Sequence, residues 1–167
     1  FFVDTVEGQS LEYELVLDVS VNLVSFYTLP EDRSIENIVG EHSGNIYATM
    51  TEGMAAAYLA GEWVGMLTEF ELERGYWMLV NDPSVTLSGT GTNYDPGRVY
   101  DLHYGDNLIS YSSMGSADIA SSIPDDVEDL FLGILSEGSA AFNTESGWIG
   151  SLTSFDEGTG FWVVVSE

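Results

Sequence analysis

Two glutamates, Glu52 and Glu137, each precede a glycine at matching places in the chain. A pair of carboxylates can run glycoside hydrolysis, one as acid and one as base or nucleophile. With 28 acidic residues present, residue type alone does not single out a pair, and a Glu-Gly turn is the favoured reading of both sites. The only histidines are His42 and His103. One of them could serve a Ser-His-Asp arrangement, but no GxSxG elbow accompanies it. Asp125, Asp126, Glu128 and Asp129 supply hard oxygen ligands of the kind calcium takes, without an EF-hand loop around them. A solvated acidic loop is the favoured reading there, and calcium is the one cofactor the cluster would suit. Tyr58, Tyr94, Tyr104 and Tyr111 are the aromatics that could stack on sugar faces if exposed. Gly89-Thr90-Gly91 lacks the lysine and third glycine of a phosphate loop and reads as part of a linker.

Around these residues the composition sets limits. The 167 residues carry a formal charge of -25, with three arginines (Arg33, Arg74, Arg98) and no lysine. A phosphate backbone or an anionic membrane surface needs clustered cations, so neither is a partner. No apolar run approaches the length that spans a bilayer. Such an acidic surface suits salty water, where counterions screen its self-repulsion. It fits plain solubility or an extracellular protein of a marine or halophilic bacterium. There is no cysteine, which removes disulfides, thiolate metal sites and thiol nucleophiles. Hydrophobic residues at 44 % are enough for a packed core.

The elements that must hold these residues are written twice. Asn22-Leu23-Val24-Ser25-Phe26 recurs as Asn107-Leu108-Ile109-Ser110-Tyr111. Glu52-Gly53 with Ala55-Ala56 recurs as Glu137-Gly138 with Ala140-Ala141. Trp63-Val64-Gly65 recurs as Trp148-Ile149-Gly150, and Gly75-Tyr76-Trp77 as Gly160-Phe161-Trp162. The offset is the same in every block, so the chain is read as a tandem duplication of a unit of about 85 residues. Glu52 and Glu137 are the only acids identical in both copies, whereas the two histidines fall opposite Val127 and Asp18. The Asp125–Asp129 cluster falls opposite Gly40, Glu41, Ser43 and Gly44, so it is not shared either.

Within one unit, Tyr13, Leu15, Leu17 and Val19 alternate with polar residues as in a half-buried strand. Asn22 to Tyr27 reads as the next strand. Ser34 caps a short helix with Ile35, Ile38 and Val39, and Ser116 is expected to cap its counterpart. A hairpin over Ile46–Leu59 turns at Glu52-Gly53, and Trp63 to Thr68 is a further strand. Tyr76 to Val80 is a continuous apolar run, which predicts a strand covered on both faces. The fold class is therefore mainly β, with one short helix per repeat and two homologous units, 1–82 and 83–167. Residues 83–97 form the connecting segment, in which Val85 and Leu87 alternate like a short strand.

The shared residues are expected to be framework. Trp63, Trp77, Trp148 and Trp162 supply large buried area. Gly53, Gly65, Gly75, Gly138, Gly150 and Gly160 suit turns, bulges or close packing. Upstream, Thr5-Val6-Glu7-Gly8 resembles Thr86-Leu87-Ser88-Gly89, with a few residues gained in the second copy, so the chain would start just inside a repeat, as an excision from a longer array would.

The order Asn-Leu-Ile-Ser-Tyr, Gly-Trp-Ile-Gly-Ser-Leu, Gly-Phe-Trp-Val-Val-Val resembles a tandem repeat found near the ends of large secreted bacterial proteins. Its usual form is close to "GWNLIS…W.G.L…GYWV", and it matches once per copy over nearly the whole chain. The usual Gly-Trp before the asparagine is Ser20-Val21 and Gly105-Asp106 here. The resemblance implies an extracellular or cell-surface location and a non-catalytic modular role, and it carries over no catalytic residues. The expected function is thus a structural or interaction module of a larger secreted or surface protein. Its partners would be neighbouring repeats or another surface protein, with a glycan also weighed. A carbohydrate-binding module is the second reading and a glycoside-acting enzyme the third.

Overall fold

In the computed structural model, which describes residues 10–81 and 83–166, period-two patterning becomes two five-stranded antiparallel sheets. The first unit runs β1 (Leu11–Leu17), β2 (Ser20–Ser25), α1 (Ile35–Val39), β3 (Ile46–Thr51), β4 (Met54–Leu59), β5 (Glu62–Gly65) and β6 (Gly75–Val80). Then come β7 (Val85–Gly91), β8 (Gly105–Ile109), β9 (Ser116–Asp118), α2 (Ile119–Ser122), β10 (Phe131–Ser136), β11 (Ser139–Thr144), β12 (Gly147–Gly150), β13 (Ser154–Asp156) and β14 (Phe161–Val165). The first sheet has the order β2-β6-β3-β4-β5 and the second the equivalent order β8-β14-β10-β11-β12.

The two sheets agree residue by residue. Ser20 pairs with Val80 as Gly105 pairs with Val165, and Ala56 with Gly65 as Ala141 with Gly150. Both carry the same bulge, between Ile46 and Ala48 in one and between Phe131 and Gly133 in the other. A shared irregularity is stronger evidence of common descent than shared regular pairing, because nothing in sheet geometry requires it.

Each sheet lays one face on its own core. Phe26, Phe70, Tyr76, Met78 and Leu17 lie at the centre of the first. Phe70 meets Tyr76 edge-on at 4.8 Å and Phe26 at 5.1 Å. The second core is separate and smaller, around Ile119, Ile134, Phe155, Phe161 and Val163.

The central apolar run departs from expectation. Tyr76, Met78 and Val80 are buried, but Trp77 and Leu79 are half-buried on the reverse face. Trp77 and Trp162 belong to neither core cluster, so the strand is not covered equally on both faces. The apolar reverse face had made the run look two-sided. Ser34 caps α1 as expected, accepting from the Asn37 amide. In the second unit the cap is Asp118, not Ser116, because Ser116 is drawn into β9 opposite Asp156. The stretch Thr5–Gly8 lies outside the described residues.

The connecting segment also holds a surprise of placement. β7 pairs along its whole length with β1, and Val85 and Leu87 enter the first core. No described helix is long and apolar enough to cross a membrane.

Candidate functional site

Edge strands β2 and β8 leave backbone groups unpaired, and each finds partners in the other unit. Val24 bridges to Thr159 and, by the pseudo-two-fold, Ile109 bridges to Arg74. The Ser25 amide donates to the Gly158 carbonyl and the Ser110 amide to the Glu73 carbonyl, at 2.9 and 3.1 Å. The hydroxyls of these serines, both buried, donate across as well, Ser25 to the Thr159 carbonyl and Ser110 to the Leu72 carbonyl.

The repeated glutamates belong to this interface. Glu52 Oε2 accepts from the Leu108 amide at 3.3 Å, and Glu137 Oε2 accepts from the Leu23 amide at 3.2 Å. The hairpin turn places each carboxylate, since Gly53 and Gly138 follow with φ of 76° and 73°. Gly75 and Gly160 let the units approach. A Cβ on Gly75 would lie 2.7 Å from the Ile109 carbonyl oxygen, and one on Gly160 would lie 2.8 Å from that of Val24.

Other repeated residues brace each unit from within. Asn22 accepts from the Asp18 amide and donates to its carbonyl, closing the turn between β1 and β2. Asn107 makes the same two bonds to His103. The Trp63 indole donates to Ser43 Oγ at 3.0 Å, and the Trp148 indole to Glu128 Oε1 at 2.7 Å. A Cβ on Gly65 or Gly150 would lie within about 2.2 Å of the carbonyl oxygen of Ala55 or Ala140, which accounts for the Trp-x-Gly spacing.

One polar cleft of ≈ 450 Å³ opens where the units meet, with Glu52, Glu73, Arg74 and His103 on its walls. His103 Nε2 sits 2.6 Å from Glu52 Oε1, and Nδ1 sits 2.8 Å from the Tyr104 carbonyl oxygen. The carbonyl first, and then the carboxylate, raise the imidazole pKa above its ordinary value. Arg74 Nε pairs with Glu71 at 2.8 Å, a bond that raises the guanidinium pKa.

This arrangement does not place a nucleophile. A Ser-His-Asp relay needs one imidazole nitrogen on a hydroxyl, whereas those of His103 face a carboxylate and a carbonyl. His42 lies in the first unit, in a 3-10 turn after α1. Glu137 is not on the wall of the cleft that Glu52 lines, so the two shared carboxylates do not face each other across it.

The acidic cluster is dispersed in use. Glu128 serves as the Trp148 acceptor, while Asp125, Asp126 and Asp129 are exposed. Among the described residues no three acidic or histidine side chains converge on a metal position.

The four tyrosines do not form one platform. Tyr58 packs on Trp63 at 5.6 Å, Tyr94 edge-on against Tyr27 at 6.1 Å, and Tyr111 stacks on Phe155 at 5.8 Å. Only Tyr104 is well exposed, at 76 %. What sequence reasoning missed is the cross-unit role of Glu52, Glu137, Ser25 and Ser110. The available signal was their identity in both copies. No family model, curated protein or solved structure matches the chain.

Proposed function

We propose that the chain is a non-catalytic structural or interaction module of a larger secreted or cell-surface protein. One observation carries this reading: the glutamate and the serine identical in both copies, Glu52 with Glu137 and Ser25 with Ser110, join one copy to the other. Glu52 and Glu137 hold each other's edge strands, Ser25 and Ser110 bond across, and Gly75 and Gly160 permit the contact. A duplicated catalytic or ligand site would instead turn both shared glutamates into a cleft, whereas Glu137 is not on the wall of the one that Glu52 lines. The acidic surface supports a salty extracellular setting, and the repeat it resembles supports a place in a longer surface protein.

The test is a panel of oligosaccharides and polysaccharides incubated with the whole chain. No hydrolysis and no retardation in polysaccharide-containing gels is the expected result. Turnover that Glu52→Gln abolishes would overturn the proposal in favour of a glycoside-acting enzyme. Retention on one polysaccharide, without turnover, would make it a carbohydrate-binding module.

A further inference from the structure

The two units are finished differently. In the first, the ribbon of β1 and β7 closes the inner face of the sheet, and Leu17 and Leu87 are almost wholly buried. β7 carries Thr86-Leu87-Ser88-Gly89, which matches Thr5-Val6-Glu7-Gly8, so by sequence it is the leading strand of the second repeat. The first unit is thus completed by the leading strand of the repeat that follows it.

The second unit has no such cover among the described residues. Residues 98–102, which match β1, form no strand, and nothing described pairs with them as β7 pairs with β1. A groove of ≈ 830 Å³ opens there instead. Its walls are counterparts of first-unit core residues. Leu102 and Ile109 are half-buried where Leu17 and Val24 are buried. Tyr111 and Phe131 are likewise half-buried where Phe26 and Ile46 are wholly buried. The groove is the hollow that a β7-like strand fills in the first unit.

We propose that this groove takes the leading strand of a second copy of the chain, residues 4–8, laid antiparallel along 98–102. In the β1–β7 register, Leu15 faces Leu87 and Tyr13 faces Gly89. The same register sets Val6 opposite Tyr100 and Gly8 opposite Arg98. The added strand supplies backbone hydrogen bonds to an unpaired segment, and Val6 supplies the aliphatic plug. The donor strand and the acceptor groove are different segments of the chain, so the contact is heterologous and propagates head-to-tail from copy to copy. It reproduces between molecules the contact that β7 makes within one. The charge of -25 on each copy opposes the encounter at low salt, so salt favours it.

The proposal rests on the interaction-module reading. Sedimentation of the whole chain in raised NaCl over a wide concentration range tests it, with hydrogen exchange at residues 98–102 alongside. The expected result is a mass that rises with concentration past the dimer, and slower exchange at those amides in the associated fraction. Val6→Asp is expected to abolish both effects, and an added peptide of residues 84–92, carrying the β7 strand, to compete for the groove and lower the mass. A monomer at every concentration, a mass that stops at two copies, or association undiminished in Val6→Asp would each overturn it. None of these bears on glycoside turnover, which tests the module reading separately.

Discussion

Glu52 accepts a hydrogen bond from the amide of Leu108 across the boundary between the two units, and the pseudo-two-fold repeats the bond between Glu137 and Leu23. The partners are backbone groups of edge strands, so removing either carboxylate leaves an amide without its acceptor. Glu52→Ala and Glu137→Ala are each expected to lower stability by about 1–2 kcal/mol. Glutamine at either site should cost less, because its amide oxygen still accepts. Urea midpoints at unchanged m-value measure this. Midpoints equal to wild type in both alanine variants would mean that water satisfies those amides.

Truncations on the two faces of one sheet should differ. Phe70 is wholly buried against Phe26 and Tyr76, and Phe70→Ala is expected to cost about 3–5 kcal/mol. Trp77 is half-buried outside the core, so Trp77→Ala should cost clearly less despite the larger side chain. Equal losses in denaturant titrations would show that the reverse face is packed as tightly as the core.

His103 adds a pH dependence whose sign follows from its raised pKa. The Tyr104 carbonyl and the Glu52 carboxylate favour the imidazolium in the folded state more than in the unfolded one. That stabilisation is fully present below the unfolded value near 6.5 and is lost as pH rises through the higher folded value. Melting temperature should therefore fall over that window, and His103→Gln should flatten the change. A wild-type profile unchanged by the substitution would show that this pair contributes nothing.

Salt should stabilise the protein. Crowding 28 acids against three arginines makes the compact state self-repelling. At roughly 0.01 M ionic strength the Debye length is about 30 Å, so distant carboxylates still interact, whereas at roughly 1 M it is about 3 Å. Melting temperature is expected to rise with NaCl. Calcium chloride matched for ionic strength should add nothing, since Glu128 is engaged by Trp148 and no described acids converge. A further rise in calcium would place a site the geometry does not show.

By itself the sequence determined the duplication, the β class and most of the strands, since these depend on local alternation and on a constant offset between blocks. Ser34 as a helix cap and Glu52-Gly53 as a hairpin turn follow from residue type and immediate neighbours. Tertiary structure alone decided what the shared residues touch. Glu52 and Leu108 lie in different copies, and no local pattern tells a carboxylate which distant amide it will meet. It also decided which face of the Tyr76–Val80 strand is the core, because an apolar run hides its own period. It decided that β7, the start of one repeat, completes the other. That assignment depends on which apolar hollow lies nearest the strand once the sheets have formed, a property of packing rather than of sequence order.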